Sequence, residues 1–369
     1  MNRENRVDTM AASTQRRRVD AVFAGGAPDR TPILGGWIAS PDHICAITGL
    51  TLEQNWGEPE AASLEAYRRL GSDGLIGVFV PKSAEDFRCV DAGSYVHART
   101  GMSLEQALDY VAAMPEPEQI EAGFDFDGEY ARFRQDLIAM QARCGDMVSM
   151  PAQWSAGARI TWYGDLGYEN FFHIVGAYER QARKLLEVGG AQGRCQSRLV
   201  ARAVQEGLYP RAVLLGEDIC TQRGPMVSPA FMERYYAPQL RYGLGPLLEV
   251  GCRPVWHCDG DVRAMLDMLF DCGVQGLQGF QPECGMVLDW LVERRTREGK
   301  PLLIFGPLAV TTELPCGTPE QIRAKVRHAI EVCRGRADLA LFTSNTINPD
   351  VPLANVIAMH EAVGALASR

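Results

Sequence analysis

The sequence predicts an α/β fold, a (β/α)8 TIM barrel in which eight parallel strands alternate with helices. Eight short apolar runs occur along the chain, and amphipathic helical patterns separate them. The 369 residues accommodate a barrel of roughly 250 residues plus insertions. The predicted strands are Pro32–Gly36, Gly74–Val80, Asp146–Pro151, Arg211–Gly216, Arg253–His257, Val274–Phe280, Leu302–Gly306 and Asp338–Thr343.

The remaining chain is assigned around this core. Residues 1–31 are predicted to form an N-terminal helical segment, and residues 81–145 an insertion between the second and third strands. No short repeat of fixed period occurs, which argues against a solenoid. We therefore expect one barrel domain over residues 1–369.

Two helices carry clear boundary signals. Asp261 is expected to cap a helix that Gly273 ends. Thr318, followed by Pro319 and by Gln321 three positions on, has the form of a capping box. Strand, loop and helix thus recur in phase, as a barrel requires.

Composition and charge exclude several classes of protein. The formal net charge of −9 offers little positive surface for a phosphate backbone, so nucleic acid is not an expected partner. The basic run Arg16–Arg18 is interpreted as a solvated helix face. No apolar run reaches the roughly 18–20 residues of a membrane-spanning helix, and the N-terminus is polar, so we expect no membrane association and a cytoplasmic location.

The eleven cysteines are scattered, and none forms a CxxC pair. Most are interpreted as reduced core residues, because a buried free thiol packs like a small apolar group. A structural zinc site made of four cysteines is therefore not expected.

Ionisable side chains follow three of the later strands, and an asparagine follows a fourth. In a barrel of this kind the active site lies at the carboxyl ends of the strands, so these groups are expected to converge. They are of types that bind metals or transfer protons. The candidates at these strand ends are Glu217 and Asp218, His257 and Asp259, Glu283 and Cys284, and Asn345.

Each candidate also has a structural explanation. Strand alternation directs His257 and Asp259 to one side and Cys258 to the other, so Cys258 is expected to pack in the core. Glu217 and Asp218 could instead cap the following segment, and Glu283 could belong to a turn.

The earlier strand ends contribute residues suited to holding a substrate. Trp37 and Trp154 can supply aromatic walls, and Gln153 a polar contact. Arg159 can supply a cation, and Asn345 a further polar contact from the eighth strand. These five residues are the predicted substrate-binding set.

Several stretches resemble the uroporphyrinogen decarboxylase superfamily of barrels. They are "RRRVDAVFAGGAPDRTPI", "GEDICTQRGPMVSPAFMERYYAPQL", "HCDGDVRAMLDMLFDCGVQGLQGFQPECGM", "GTPEQIRAKV" and "SNTINPDVPLANVIAMHEA". The likeness covers most of the chain. A shared fold does not by itself fix the reaction.

The resemblance implies one of two chemistries. True uroporphyrinogen decarboxylases carry an arginine-rich "RQAGR"-type segment for their polycarboxylate substrate, and this chain has "PILGGWIASPDH" there. The corrinoid-dependent methyltransferase branch is more similar. Its zinc site uses a His-x-Cys at the fifth strand and a later cysteine; here His257 matches, Asp259 occupies the first cysteine position, and the later one is replaced around Ser344 and Asn345.

A substitute set of metal ligands follows from this comparison: His257 and Asp259, joined by Glu217 or Asp218 and by Glu283 or Cys284. The predicted catalytic residues are His257, Asp259, Asp218 and Glu283. The predicted metal ligands are His257, Asp259, Glu217, Glu283 and Cys284.

The resulting hypothesis is a zinc-dependent methyltransferase that moves methyl groups between a small methylated substrate or a thiol-type acceptor and a corrinoid carried by a partner protein. The expected partners are a small molecule and a corrinoid protein, and a homodimer stays open. The alternative is a cofactor-free decarboxylase of a small carboxylate that uses carboxylate and histidine acid–base chemistry. A third hypothesis is a barrel without catalytic activity that binds a corrinoid or has a structural role.

Overall fold

A computed structural model describes residues 13–91 and 101–366 of the chain as an α/β protein with two parallel sheets. The three-stranded sheet has the order β1-β2-β3, and the five-stranded sheet has the order β10-β9-β8-β7-β4. Strands β5 and β6 form a small antiparallel pair. The strands are β1 (Leu34–Gly35), β2 (Gly74–Leu75), β3 (Val148–Ser149), β4 (Ala212–Gly216), β5 (Cys220–Thr221), β6 (Gly224–Pro225), β7 (Arg253–His257), β8 (Gly276–Gln278), β9 (Leu303–Leu308) and β10 (Asp338–Thr343).

Helices connect and cover these strands. The α-helices are α1 (Thr14–Phe23), α2 (Pro41–Thr48), α3 (Leu52–Gly57), α4 (Pro59–Leu70), α5 (Ala84–Asp91), α6 (Leu104–Ala113), α7 (Pro117–Gly123), α8 (Phe126–Cys144), α9 (Tyr163–Leu166), α10 (Tyr168–Ala177), α11 (Glu179–Gln205), α12 (Pro229–Phe231), α13 (Ala237–Glu249), α14 (Leu266–Cys272), α15 (Leu288–Leu291), α16 (Glu313–Cys316), α17 (Pro319–Cys333) and α18 (Leu353–Leu366). A π-helical turn (Met232–Tyr236) precedes α13, and 3₁₀ turns cover Arg263–Met265 and Pro282–Cys284.

Seven of the eight predicted strands contain a strand of the structure, and the other, Leu302–Gly306, overlaps β9, which continues two residues further to Leu308. All eight pair in parallel within the two sheets, as the continuous apolar runs indicate for strands buried on both faces. Helix α1 lies within the predicted N-terminal segment, whose residues 1–12 fall outside the described residues. Helices α5 to α8 lie within the predicted insertion, of which residues 92–100 are likewise outside.

The two sheets are joined at both ends of the strand series. At one end an isolated parallel bridge pairs Ile33, next to β1, with Leu341 of β10. At the other end the backbone N–H of Gln153, beyond β3, donates to the carbonyl of Leu214 in β4 over 2.8 Å. These contacts bring the first and last strands, and the third and fourth, next to each other.

A buried ion-pair network fastens α1 to the start of β2. Asp73 is fully buried and accepts hydrogen bonds from Arg18, from Arg30 over 2.7 Å and from the backbone N–H of Ile33 over 2.9 Å. Arg18 also pairs with Asp29 at 2.6 Å. The interpretation of Arg16–Arg18 as a solvated face is therefore wrong for Arg18, which is buried and whose charge is compensated by the buried Asp73 and the exposed Asp29.

The predicted helix boundaries are confirmed with one difference. Thr318 forms the expected capping box with Gln321, and Gly273 ends α14 in the left-handed conformation. Asp261 accepts a hydrogen bond from the backbone N–H of Arg263 at 3.1 Å, but a 3₁₀ turn forms there first and α14 begins at Leu266. The shorter turn satisfies the first backbone donors before the α-helix is established.

Three glycines allow a close crossing of chain segments beside β4. Gly157 adopts a φ of +82°, and its carbonyl lies against Gly193 of α11 and Gly243 of α13. A Cβ added at Gly193 or Gly243 would lie 2.0 Å or 1.6 Å from that oxygen. Any side chain at these two positions therefore requires the backbone to move.

The described cysteines agree with the predicted role of most of them as reduced core residues. The ten described cysteines are free, and eight of them are buried. Among the residues that the structure covers, no helix combines the length and the apolar character that crossing a bilayer requires.

We predict that Gly243→Ala destabilises the protein by about 3 kcal/mol, because overpacking against a backbone oxygen forces the two segments apart. The matched control is Gly364→Ala in α18, where an added Cβ meets nothing within 4 Å. The control is expected to be neutral or to stabilise the helix by up to about 1 kcal/mol. Urea unfolding followed by circular dichroism measures both, and equal midpoints would contradict the prediction.

We also predict an acid-sensitive contribution from His360, which α18 buries. Burial lowers the pKa of its imidazole from 6.5 to about 4. In the unfolded chain this imidazole is protonated below about pH 6.5, whereas in the folded protein it is protonated only below about pH 4. Protons therefore favour the unfolded state between these two values, and the free energy of unfolding falls as the pH drops through this window. The loss is about 3 kcal/mol, since each unit of pKa corresponds to about 1.4 kcal/mol.

The measurement compares the free energy of unfolding of the wild type and His360→Gln at pH 7 and pH 4. Glutamine has no titrating group, so the variant should lose less stability on acidification by the amount given above. If both proteins lose stability in parallel, His360 is not the source.

Candidate functional site

His257 is held at the carboxyl end of the five-stranded sheet by strand register. It is the last residue of β7 and pairs with Gly216 of β4 on one side and Gln278 of β8 on the other. Gly216 has a φ of +121°, and a Cβ there would lie 2.4 Å from the His257 carbonyl, so glycine permits this close approach. The imidazole is buried, with 8% of its side chain exposed.

Gln278 holds the inner edge of the imidazole. Its amide Nε2 donates to the carbonyls of Thr343 and Ser344 over 2.8 and 2.9 Å. Its Oε1 contacts Nδ1 of His257. Gln278 is not among the residues predicted from the sequence, although a single glutamine within the apolar run of a predicted buried strand is a signal that identifies such a position.

Two carboxylates face the outer edge of the imidazole. His257 Nε2 lies 3.5 Å from Oδ1 of Asp218, and the backbone N–H of Asp259 donates to that same oxygen over 2.8 Å. Asp218 follows β4 and is half exposed, whereas Asp259 is half-buried. One donor atom from each of Asp218, His257 and Asp259 lies within 4.8 Å of the others.

Asp259 has one satisfied and one unsatisfied oxygen. Asn345 Nδ2 donates to its Oδ2 over 2.7 Å, and the Asn345 amide is oriented by the Thr346 N–H, which donates to Oδ1 of Asn345. The Oδ1 of Asp259 is buried and has no hydrogen-bond partner among the described residues. Burial raises the pKa of this carboxyl, and proximity to His257 opposes the shift.

These donors fit a divalent metal ion. A buried carboxylate oxygen without a partner is costly, and coordination to a cation would remove that cost. One imidazole and two carboxylates are ligands that zinc accepts in catalytic sites, where a further position stays open. Exposure of Asp218 gives the group a side that faces solvent.

Glu217 lies apart from this group of donors. Its Oε2 accepts hydrogen bonds from the Ile160 N–H over 2.9 Å and from the Thr161 hydroxyl over 2.7 Å. Burial raises the pKa of the Glu217 carboxyl to about 7. The side chain thus ties the loop before α9 to the end of β4.

Glu283 and Cys284 lie on the following loop and are also outside the group of three. Glu283 is exposed and accepts a hydrogen bond from the Thr311 hydroxyl over 2.5 Å. The Cys284 thiol lies 3.5 Å from Oε1 of Gln281, and burial raises its pKa. Glu283 is nevertheless near enough to favour the protonated form of Asp259.

Two predicted aromatic residues do lie at the imidazole. The ring centroids of Trp37 and Trp154 are 6.2 Å and 5.3 Å from that of His257, both edge-on. The indole N–H of Trp37 donates to the Ile76 carbonyl over 2.8 Å, which fixes the ring. Trp154 is only half buried, so it offers an apolar wall next to the donors.

The other predicted substrate contacts have partners elsewhere. Gln153 bonds the Pro151 carbonyl through its side chain over 3.0 Å. Arg159 forms an ion pair with Asp165 and lies 4.1 Å over the Trp162 ring. Arg159 therefore contributes a compensated charge, and neither side chain is brought to His257 by these contacts.

Cys258 lies in a buried cluster of sulfur atoms, consistent with the expected packing role. A hydrogen bond to Cys220 is the largest of the causes that raise the pKa of its thiol. Cys220 in turn lies 3.5 Å from the Met265 sulfur. The thiols next to the site thus face away from the oxygen and nitrogen donors.

Comparisons with known proteins support the fold of this chain. No protein-family model and no curated protein matches it. Among solved structures it is similar to a methyltransferase from Methanosarcina mazei, with a TM-score of 0.59 and 16% sequence identity. The match covers 96% of this chain and 99% of that chain, and at this identity the likeness extends to the fold alone.

Proposed function

We propose that this protein is a metal-dependent methyltransferase that moves a methyl group between a small methylated substrate or a thiol-type acceptor and a corrinoid carried by a partner protein. The observation that carries the proposal is the convergence of Asp218, His257 and Asp259 at one strand end. The similarity in fold to a protein named as a methyltransferase supports the reaction class.

The proposed architecture is a closed (β/α)8 barrel within a single domain that spans residues 1–369. The Ile33–Leu341 bridge and the Gln153–Leu214 hydrogen bond support closure, because they link the ends of the two sheets. In such a barrel the carboxyl ends of the strands share one mouth, which suits the position of the donors.

The proposed metal is zinc, held by Asp218, His257 and Asp259. A zinc ion there would supply Lewis acidity, lowering the pKa of an acceptor thiol or polarising the ether or thioether atom of a methylated substrate. Asn345 holds the Asp259 carboxylate, and Gln278 holds the imidazole, so both groups are oriented before substrate binds.

The surroundings of the donors favour a neutral substrate over a polyanion. The described side chains that contact the imidazole are those of Trp37, Trp154, Gln278 and Asp218, and Arg159 and Arg263 are each paired with an aspartate. None of these contacts brings an unpaired cation to the donors, as a substrate with several carboxylates would require. Trp154 is the proposed apolar wall for the methylated group.

Cofactor-free decarboxylation of a small carboxylate is the second candidate. It is favoured by Glu217, whose carboxyl titrates near neutral pH and could donate a proton to a carbanion. The hydrogen bonds that Glu217 accepts from Ile160 and Thr161 leave it bound to the loop, which makes this candidate the weaker one.

Under the methyltransferase proposal the partners are a small molecule and a corrinoid protein, and the location is the cytoplasm. Nucleic acid and membranes are not proposed partners. A homodimer is compatible with the proposal, since the donors all come from one chain.

We predict that the purified protein binds one zinc ion and that His257→Ala, Asp218→Asn and Asp259→Asn each reduce the zinc content. Each change removes one donor of the group of three, and no other described His, Cys, Asp or Glu belongs to that group. Plasma emission spectrometry after dialysis measures the zinc. Circular dichroism checks that the variants fold.

Glu217→Gln, Glu283→Gln and Cys284→Ser are the matched controls, because they alter the remaining predicted ligands. They should retain wild-type zinc. Loss of zinc in these controls and its retention in the first three variants would overturn the ligand assignment.

We further predict that the zinc-loaded protein forms methylcobalamin from reduced cobalamin and a member of a panel of methoxylated and methylthio compounds. His257→Ala should lower this rate by at least about 100-fold, the loss typical when a group of the catalytic site is removed. The cobalamin absorption spectrum reports the transfer. Carbon dioxide release from carboxylated members, with no methylcobalamin, would instead support the decarboxylase.

A further inference from the structure

We propose that Gln278 is a positioning residue that keeps the proton of the neutral His257 imidazole on Nδ1, so that Nε2 presents its lone pair to the space between Asp218 and Asp259. The inference rests on the proposed function for its purpose. Its evidence is the hydrogen bonding of Gln278 itself.

The orientation of the Gln278 amide is fixed by two acceptors. Backbone carbonyls only accept hydrogen bonds, so the end of the amide that faces Thr343 and Ser344 must be the NH2 group. The other end, Oε1, then faces His257 and can only accept. The contact is satisfied when Nδ1 carries a proton, and a proton on Nε2 alone would set two lone pairs against each other.

The opposite edge of the imidazole favours the other tautomer. Asp218 Oδ1 lies 3.5 Å from Nε2, and a carboxylate there attracts a proton onto that nitrogen. A protonated Nε2 has no lone pair and cannot ligate a metal. Gln278 therefore opposes the influence of Asp218, and its burial, with 2% exposed, removes competition from water.

The short segment from Thr343 to Asn345 helps to orient both His257 and Asp259. Thr343 ends β10, and the carbonyls of Thr343 and Ser344 fix Gln278, which in turn holds His257. The next residue, Asn345, donates to Asp259. The segment after β10 thus sets the ring orientation of His257 and the carboxylate orientation of Asp259, although it supplies no donor to the group.

The test is ¹⁵N NMR of the imidazole in the metal-free protein, at a pH where His257 is neutral. We expect a protonated Nδ1 and an unprotonated Nε2 in the wild type. In Gln278→Met, which keeps the length and removes the acceptor, the proton should move to Nε2. Gln281→Met is the matched control, because Gln281 bonds the Gly260 N–H and does not contact the imidazole; its tautomer should stay as in the wild type.

Zinc affinity gives a second readout. Loss of a partner that orients a histidine ligand typically weakens metal binding by about 10- to 100-fold, and Gln278→Met should show a loss of this size. A wild-type proton on Nε2, or an unchanged tautomer in Gln278→Met, would overturn the inference. The wild-type spectrum needs no variant, so misfolding of Gln278→Met leaves the inference testable.

The outcomes separate this inference from the proposed function. A wild type that carries the proton on Nδ1 and shifts it in Gln278→Met, but binds no zinc, supports the role of Gln278 and contradicts the metal site. Zinc binding with the proton on Nε2 in the metal-free protein does the reverse.

Discussion

The register of three parallel strands is the constraint on which the site depends. Gly216, His257 and Gln278 are directly paired across β4, β7 and β8, so the residues that follow β4 and β7 emerge beside each other. Asp218 and Asp259 each lie two residues past that level, close enough for the Asp259 N–H to bond the Asp218 carboxylate. A shift of one residue in either pairing would turn the imidazole to the opposite face of the sheet.

Several charged side chains in this fold, both near the site and at the opposite strand ends, are paired with side chains of opposite charge. Asp73 near the opposite strand ends is buried between two arginines, and Arg159 and Arg263 each have an aspartate partner. Asp259 differs from these paired carboxylates, because its buried Oδ1 lacks a hydrogen-bond partner among the described residues and burial raises its pKa. A buried carboxylate left in this way is typical of functional sites, where a ligand supplies the missing interaction.

The sequence predicted the eight strand positions well, because apolar runs and glycines mark them directly. It also predicted Asp218, His257, Asp259, Trp37 and Trp154 as neighbours, since strand ends in a parallel fold meet at one edge. The sequence does not show which of the neighbouring carboxylates, Glu217 or Asp218, lies at His257. Glu217 precedes Asp218 by one residue yet bonds Thr161, a contact across 56 positions that no local pattern encodes.

The same limit applies to residues whose partners are distant in the chain. The basic neighbours of Arg18 predict an exposed side chain. The structure buries it instead, in an ion pair with Asp73, 55 residues away in the chain. The substrate role of Arg159 stays a prediction, and its ion pair with Asp165 lies in a loop that Glu217 bonds at the Ile160 N–H, 57 positions away in the chain. Gln278 was missed because its role arises from the carbonyls of Thr343 and Ser344, far along the chain.

The first three strands are shorter than the strands that carry the metal-type donors. β1, β2 and β3 are two residues long, and Trp37 and Trp154 follow β1 and β3, whereas Asp218, His257 and Asp259 lie at or just beyond the ends of the five-residue strands β4 and β7. Under the proposed function, the apolar wall for the substrate and the donors for the metal thus depend on different strands of the fold. Sequence changes in the loops that follow β1 and β3 could therefore alter substrate preference in related proteins while Asp218, His257 and Asp259 keep their positions.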